Sequence, residues 1–405
     1  MNSGDTAWLL VATALVMVML PGLAFFYGGL VRRKNVLSTI AHSVFGLAIV
    51  SIIWVLWGFS LAFGPDVNGL GLIGGPDFLG FSNVGLEPDP RYAATIPLVL
   101  FASFQLMFAA ITPALITGAF AERKRFAAFV IFTILWSTIV YAPIAHWVWA
   151  PGGWLRTMGA LDYAGGTVVH ISSGVSALVA ALVIGRRQTN GDRMEPHDVP
   201  LTILGAGLLW FGWFGFNAGS ALAATGQAAN ALLVTNTAAG TATLSFVLAG
   251  YLHRRKVSVV GAAIGAVAGL VAITPASGFV TAGGALVIGA IVGPLSYSAM
   301  LLRERLQIDD ALDVFACHGV GGMFGAIATG VLAVGAIGGV SGAIEGNLGQ
   351  VGTQLVAVAA TVSFAAVATF VIVKVVDLVL GLRVPASQEE MGLDLSVHGE
   401  TAYSA

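Results

Sequence analysis

An aspartate and a histidine eight residues apart occur twice in this chain, as Asp162 and His170 in "LDYAGGTVVH" and as Asp310 and His318 in "DDALDVFACH". Imidazole is the side chain that binds and releases a proton near neutral pH, and two imidazoles in contact can share one proton. A carboxylate at the start of a helix either caps free amides and complements the helix dipole or serves as a functional acid. Asp310 fits the capping role; for Asp162 both readings stand. Two histidines from separate segments supply too few ligands for zinc, so no metal is expected. No G-x-S-x-G, H-E-x-x-H or Walker sequence occurs, so neither an enzyme nor a cofactor is expected.

The surroundings of these residues say what must position them. The 405 residues are 57% hydrophobic and 9% charged, with a mean hydropathy of +0.90. A soluble domain carries about 25% charged residues, so the solvent of this surface is lipid. Eighteen Lys and Arg against twenty Asp and Glu leave no basic face for a nucleic acid. Cys317 is the single cysteine, too few for an intrachain disulfide, and is read as small packing volume. The start, "MNSGDTAWLL", lacks the basic flank of a cleaved signal peptide.

Apolar runs of about 20 residues, the length that crosses a bilayer core of about 30 Å, number eleven. They are expected near 6–31, 37–64, 92–120, 126–150, 164–185, 199–219, 230–252, 257–275, 281–302, 311–334 and 347–380. Sixteen of the eighteen Lys and Arg follow the odd-numbered spans or close the last one, and only Arg91 and Arg156 fall on the opposite face. The positive-inside rule then puts the N-terminus outside and the tail from about Gly381 in the cytoplasm. The expected fold is an all-α membrane protein with residues 1–380 as the transmembrane domain and 381–405 as a cytoplasmic tail. By itself so short a tail reads as a flexible terminus.

In that topology Asp162 opens span 5 from outside and Asp310 opens span 10 from inside. A motif repeated in antiparallel helices five spans apart implies an inverted five-plus-five repeat with span 11 left over. Eight residues of helix rise about 12 Å, which brings each histidine to the central third of the bilayer. A lone histidine in an apolar helix is ordinarily a satisfied core residue; a symmetry-matched pair at membrane depth points to a shared pathway. The glycine- and aromatic-rich stretches 22–29 in span 1 and 212–220 in span 6 echo the repeat. Gly261, Gly265 and Gly269 mark a packing seam in span 8. "GLGLIG" (69–74) matches a dinucleotide fingerprint only in letters, because it lies in an outer loop. His146, Trp147 and Trp149 end span 4, where an interfacial aromatic belt would place them.

Across nearly its whole length the sequence resembles the Amt branch of the Amt/Rh ammonium transporter family. The resemblance rests on "PGLAFFYGGLVRRKNVLS", "GAFAERKRF", "YAPIAHWVW", "GALDYAGGTVVHISSG", "PHDVPLTILGAGLLWFGWFGFNAGSA", "ITPASGFV", "DVFACHGVGG" and "GLRVPASQEEMGLDLSVHGETAY". It implies ammonium, ammonia and methylammonium as substrates, eleven helices, a homotrimer with one pore per subunit, and a multi-pass protein of the cell (inner) membrane. It further implies an outer recruitment site of Trp149, Phe108 and Ser220 with the essential acid Asp162 nearby. Phe108 and Phe216 match the pore gate, while His170 and His318 match the twin histidines of the pore; Trp213 is assigned to its wall, and core aromatics are the plain alternative for Phe108, Phe216 and Trp213. The tail matches one that packs on a neighbouring subunit and supports regulation by a PII-type signalling protein. An ammonium sensor acting through a partner, or an electroneutral ammonia channel of the Rh kind, are the alternatives.

Overall fold

The structure, a computed structural model, describes residues 1–188 and 194–403, so Arg193 of the basic loop after the fifth span lies outside the described residues. Among the described residues, ten helices are long and apolar enough to cross a membrane. In chain order with one shorter apolar helix they are α1 (Ser3–Leu30), α2 (Arg33–Phe63), α3 (Leu98–Phe120), α4 (Phe126–Met158), α5 (Gly166–Ile184), α6 (Val199–Gly219), α7 (Gly226–Arg254), α8 (Val259–Ile273), α9 (Ala282–Arg305), α10 (Phe315–Leu332) and α11 (Gly349–Leu380). Their starts obey local chemistry. Asn2, Asp198, Thr225, Ser258 and Thr281 each turn a side-chain oxygen onto the first free amides of α1, α6, α7, α8 and α9.

Helix α8 departs from the expected 257–275. It has 15 residues, a rise of about 22 Å, because Ser258 caps it at one end and Pro275 bars continuation at the other. A hairpin of Pro88–Asp89 and Ala93–Pro97 is the one sheet among the described residues and lies in the long connection before α3.

Glycine sets how closely the helices approach. A Cβ on Gly205 of α6 would overlap the Phe26 amide of α1, and one on Gly215 would meet the Ala12 carbonyl at 2.7 Å. Spans 1 and 6 therefore pack antiparallel across a backbone-to-backbone seam, with the stretch 22–29 against residues 198–209 and the stretch 212–220 against residues 12–19. The α8 seam is present too: a Cβ on Gly265 or Gly269 would lie 2.7 Å from Phe246 Cβ or 2.6 Å from the Ala238 carbonyl of α7.

The basic connections gather at one end of the bundle. Arg32 and Arg187 both reach Glu122, at 3.1 Å each, and Arg187 also grips Asp309 at 2.7 Å. Burial alone would raise the Asp309 carboxyl, but the Arg187 fork outweighs it and holds the group at about 2. Burial likewise opposes ionisation of Glu122, yet Arg187 and Arg32 keep it below the usual carboxylate range. The tail closes this face instead of trailing free. Asp394 accepts the amides of Leu37 and Ser38, Leu393 donates to Asn35 Oδ1, and Glu389 pairs with Arg383 at 2.8 Å. Burial of Leu393 and Glu389 overrides the polar composition that made the segment read as flexible. At the other end, the Asn2 amide donates to the Thr95 carbonyl.

Candidate functional site

The two Asp-His segments meet inside the bundle. Each histidine sits on a π-helical turn, Gly166–Ile171 in α5 and Phe315–Gly319 in α10. Such turns widen the helix and re-aim its side chains. His170 Nδ1 lies 3.2 Å from His318 Nδ1, with ring centroids 5.3 Å apart and both residues buried. A hydrogen bond between two like nitrogens needs a proton on one and a lone pair on the other, so the neutral pair must hold opposite tautomers. One ring carries hydrogen on Nδ1 and the other on Nε2. His170 Nε2 has no partner among the described residues.

Sequence spacing missed what lets the rings meet. A Cβ on Gly174 would overlap the Gly319 amide, and one on Gly322 would press His170 Cβ at 3.1 Å. Each glycine stands four residues after its own histidine, so the repeat is D-x7-H-x3-G, readable in "HISSG" and "HGVGG" had it been extended.

The two aspartates do unequal work. Asp162 accepts four amides, from Gly165, Gly166, Thr167 and Val168, at 2.6 to 3.1 Å. Its carbonyl also receives Trp149 Nε1 at 3.0 Å. Asp310 accepts the Phe315 amide at 2.7 Å through one oxygen, and its Oδ1 has no hydrogen-bond partner among the described residues.

Two cavities flank a pair of phenylalanines. The outer one, about 160 Å³, is lined by Phe101, Gln105, Phe108, Trp149, Tyr163 and Ser220 among others. The inner one, about 10 Å³, is close to the least that holds one water-sized molecule; Val169, His170, Trp213, Phe216 and His318 are among its walls. Between them the rings of Phe108 and Phe216 lie 4.3 Å apart, both buried. Trp149 stands edge-on to Phe108 at 5.7 Å. Ser220, the C-cap of α6, donates to the Phe216 carbonyl and keeps its oxygen lone pairs. Trp213 stacks on His170 at 5.4 Å and is held by its indole N–H to Thr274 Oγ1, 2.8 Å away.

Trp149, Phe108 and Ser220 thus share the outer cavity, and Phe216, Trp213, His170 and His318 share the inner one. Asp162 is absent from both linings; its carboxylate is occupied with the amides that begin α5. Gln105, Tyr163 and Arg156 join the outer cavity unforeseen, because they come from segments with no common motif. The expected aromatic belt is not there: Trp147 is buried and donates to the Leu72 carbonyl, and buried His146 bridges the Ala62 carbonyl and Asp66 Oδ1. Cys317 is buried, with Sγ 3.8 Å from the Ile264 carbonyl, as a packing residue would be.

The arrangement is a larger cavity lined by aromatic rings and a hydroxyl, two buried phenylalanine rings beside it, and a smaller cavity walled by two histidines in contact. Residues 7–403 match the Ammonium Transporter Family. An ammonium transporter of Bacillus subtilis is 49% identical over 406 aligned residues, covering 100% of this chain and 99% of that one. The crystal structure of Saccharomyces cerevisiae Mep2 superposes with a TM-score of 0.90 at 39% identity, covering 96% of this chain and 89% of that one. A structure titled "Sensor Amt Protein" also gives 0.90, at 31% identity over 97% of this chain and 98% of that one.

Proposed function

The chain belongs to the ammonium transporter family, and from that premise we propose that it takes up ammonium by parting it from a proton at the Phe108–Phe216 gate. Ammonium enters the outer cavity, where the faces and edges of Trp149 and Phe108 replace part of its hydration and Ser220 accepts an N–H. Aromatic attraction for a small cation contributes about 0.5 to 2 kcal/mol as water is lost. The single observation that carries the reading is the step from about 160 to about 10 Å³ across two buried rings 4.3 Å apart. A charged ion with its hydration cannot follow; a neutral molecule the size of ammonia can, at far smaller desolvation cost. Potassium has no proton to lose and stops there.

Below the gate the opposite tautomers of His170 and His318 give the released proton a route: a proton taken at the bare Nε2 of one ring sends that ring's Nδ1 proton onto the other Nδ1, the second ring's Nε2 proton leaves, and both tautomers end inverted. Asp162 serves as a positioning residue, orienting Trp149 by its carbonyl and fixing the start of α5 by its carboxylate. Trp213 holds His170 in place. The rest of the reading is eleven membrane crossings in two inverted halves, the N-terminus outside, and the tail from Gly381 on the cytoplasmic face of the cell (inner) membrane. The working unit is a homotrimer, with a PII-type protein docking on that face. Clustering of the basic connections supports the orientation. Sensing through a partner is the second reading, favoured by the likeness to the "Sensor Amt Protein".

A rapid ammonium jump on proteoliposomes, with an internal pH dye and potassium as control, tests this. A saturable current with ammonium alone supports transport with the proton. A rise of internal pH without protein-dependent current indicates passage of ammonia only. Silence in both, with ammonium still bound, indicates a sensor.

A further inference from the structure

The outer cavity contains one formally charged lining side chain, and it is a cation, Arg156. No carboxylate neutralises it among the described residues. The contrast with Arg91 on the same face is sharp, since Arg91 is locked to Asp89 at 2.6 Å. One guanidinium nitrogen of Arg156, Nη1, donates to the Trp149 carbonyl, which ties the group to the residue that ends the α-helical part of α4. The positive charge is therefore fixed at the mouth of a cavity that is otherwise aromatic and neutral.

Resting on the reading of this cavity as the ammonium vestibule, we propose that Arg156 sets the charge state in which substrate leaves it. A fixed positive charge repels bound ammonium and leaves bound ammonia untouched. The same Coulomb energy that weakens the cation's binding therefore raises its acid dissociation constant, making it the stronger acid, by an equal factor, by linkage. Arg156 thus trades occupancy of the vestibule by ammonium for readiness of that ammonium to release its proton to water. The balance is one N–H bond broken, its electron pair kept by nitrogen, and the proton taken first by vestibule water, from which the histidine pair is its route inward. The guanidinium is exposed, so the effect is partly screened. For charges several ångströms apart at a half-solvated site, about a three- to tenfold shift in ammonium affinity is the expected size at low ionic strength.

The test is a charge series, Arg156→Lys, Arg156→Gln and Arg156→Glu, in the full chain reconstituted in proteoliposomes. The half-saturating ammonium concentration for uptake is measured at low and at high ionic strength. The inference expects it to fall least for lysine, more for glutamine and most for glutamate, with maximal rate falling in the same order and the differences shrinking in salt. A flat series overturns it. So does an order that follows size instead of charge, or a series indifferent to salt; Arg156 would then be only a cap on the Trp149 carbonyl. A parallel Trp149→Leu variant separates the two layers of argument. If it leaves half-saturation unchanged, the vestibule reading itself fails; if it raises half-saturation while the arginine series is flat, only the charge inference falls.

Discussion

The outer and inner copies of the Asp-His motif share spacing and π-helical turn but not environment. Asp162 has its carboxylate filled by four backbone amides, whereas Asp310 receives one and leaves Oδ1 bare. His170 is stacked between Trp213 and His318, while His318 lies within its own π-helical turn, Phe315–Gly319. An inverted repeat fixes where the imidazoles lie, since both must reach one layer. It does not fix how each end is finished, and a pathway with a direction needs the ends to differ.

That comparison can be broken most severely at the crossing point. Gly174→Ala drives a methyl into the Gly319 backbone, which cannot yield, and we expect a loss of about 3 kcal/mol or more, read as the thermal midpoint of purified protein. Gly322→Ala meets the Gly166 carbonyl, His170 Cβ and Ile171 Cγ1 at 3.1 Å each, contacts relieved by a few tenths of an ångström, and should lose about 1 kcal/mol. Equal losses would mean that the two crossings are equivalent.

The aspartates come next. Asp162→Asn places an amide group against four donors and should destabilise by about 2 to 4 kcal/mol with loss of transport; Asp310→Asn, with one donor to disappoint, should lose about 1 kcal/mol. Reversed ranking in the same thermal assay would show that the count of amides does not decide the roles. A smaller change is Trp213→Phe, which gives up the bond to Thr274 and part of the stacking on His170. About 1 kcal/mol of stability is expected to go. The pH dependence of uptake should change more than stability does, because His170 loses its support and His318 keeps its own.

The smallest effect is in the ion pairs under the inner copy. With Asp309 held at about 2, below an unfolded value near 3.9, its contribution is complete above about pH 4 and fades as the pH falls toward 2. Thermal midpoints measured down through that window should drop more steeply for the parent than for Asp309→Asn.

Much of this was legible in the sequence and some was not. Apolar run lengths found the helices because lipid imposes a minimum length, and α8 escaped the rule because Ser258 and Pro275 bound it within 15 residues. The histidine pair was readable from symmetry alone, and its glycines were within reach of the same symmetry. Phe108, Ser220 and Trp149 were found only through resemblance, since an aromatic in an apolar helix has no spacing that marks it as a lining residue. Gln105, Tyr163 and Arg156 were not readable as a group, because tertiary packing alone brings their three segments together. The docked tail was hidden for the same reason: Leu393 and Asp394 find their partners more than 350 residues earlier in the chain.

The His170–His318 contact joins residues 148 positions apart. During synthesis at about 5 to 20 residues per second, His170 therefore waits roughly 7 to 30 s for its partner to be made. Until α10 arrives, the first five helices hold a polar ring in lipid with no second ring to receive its proton. The inner cavity is thus among the last parts of the molecule to be assembled, since His318 in its wall is not made until α10 arrives.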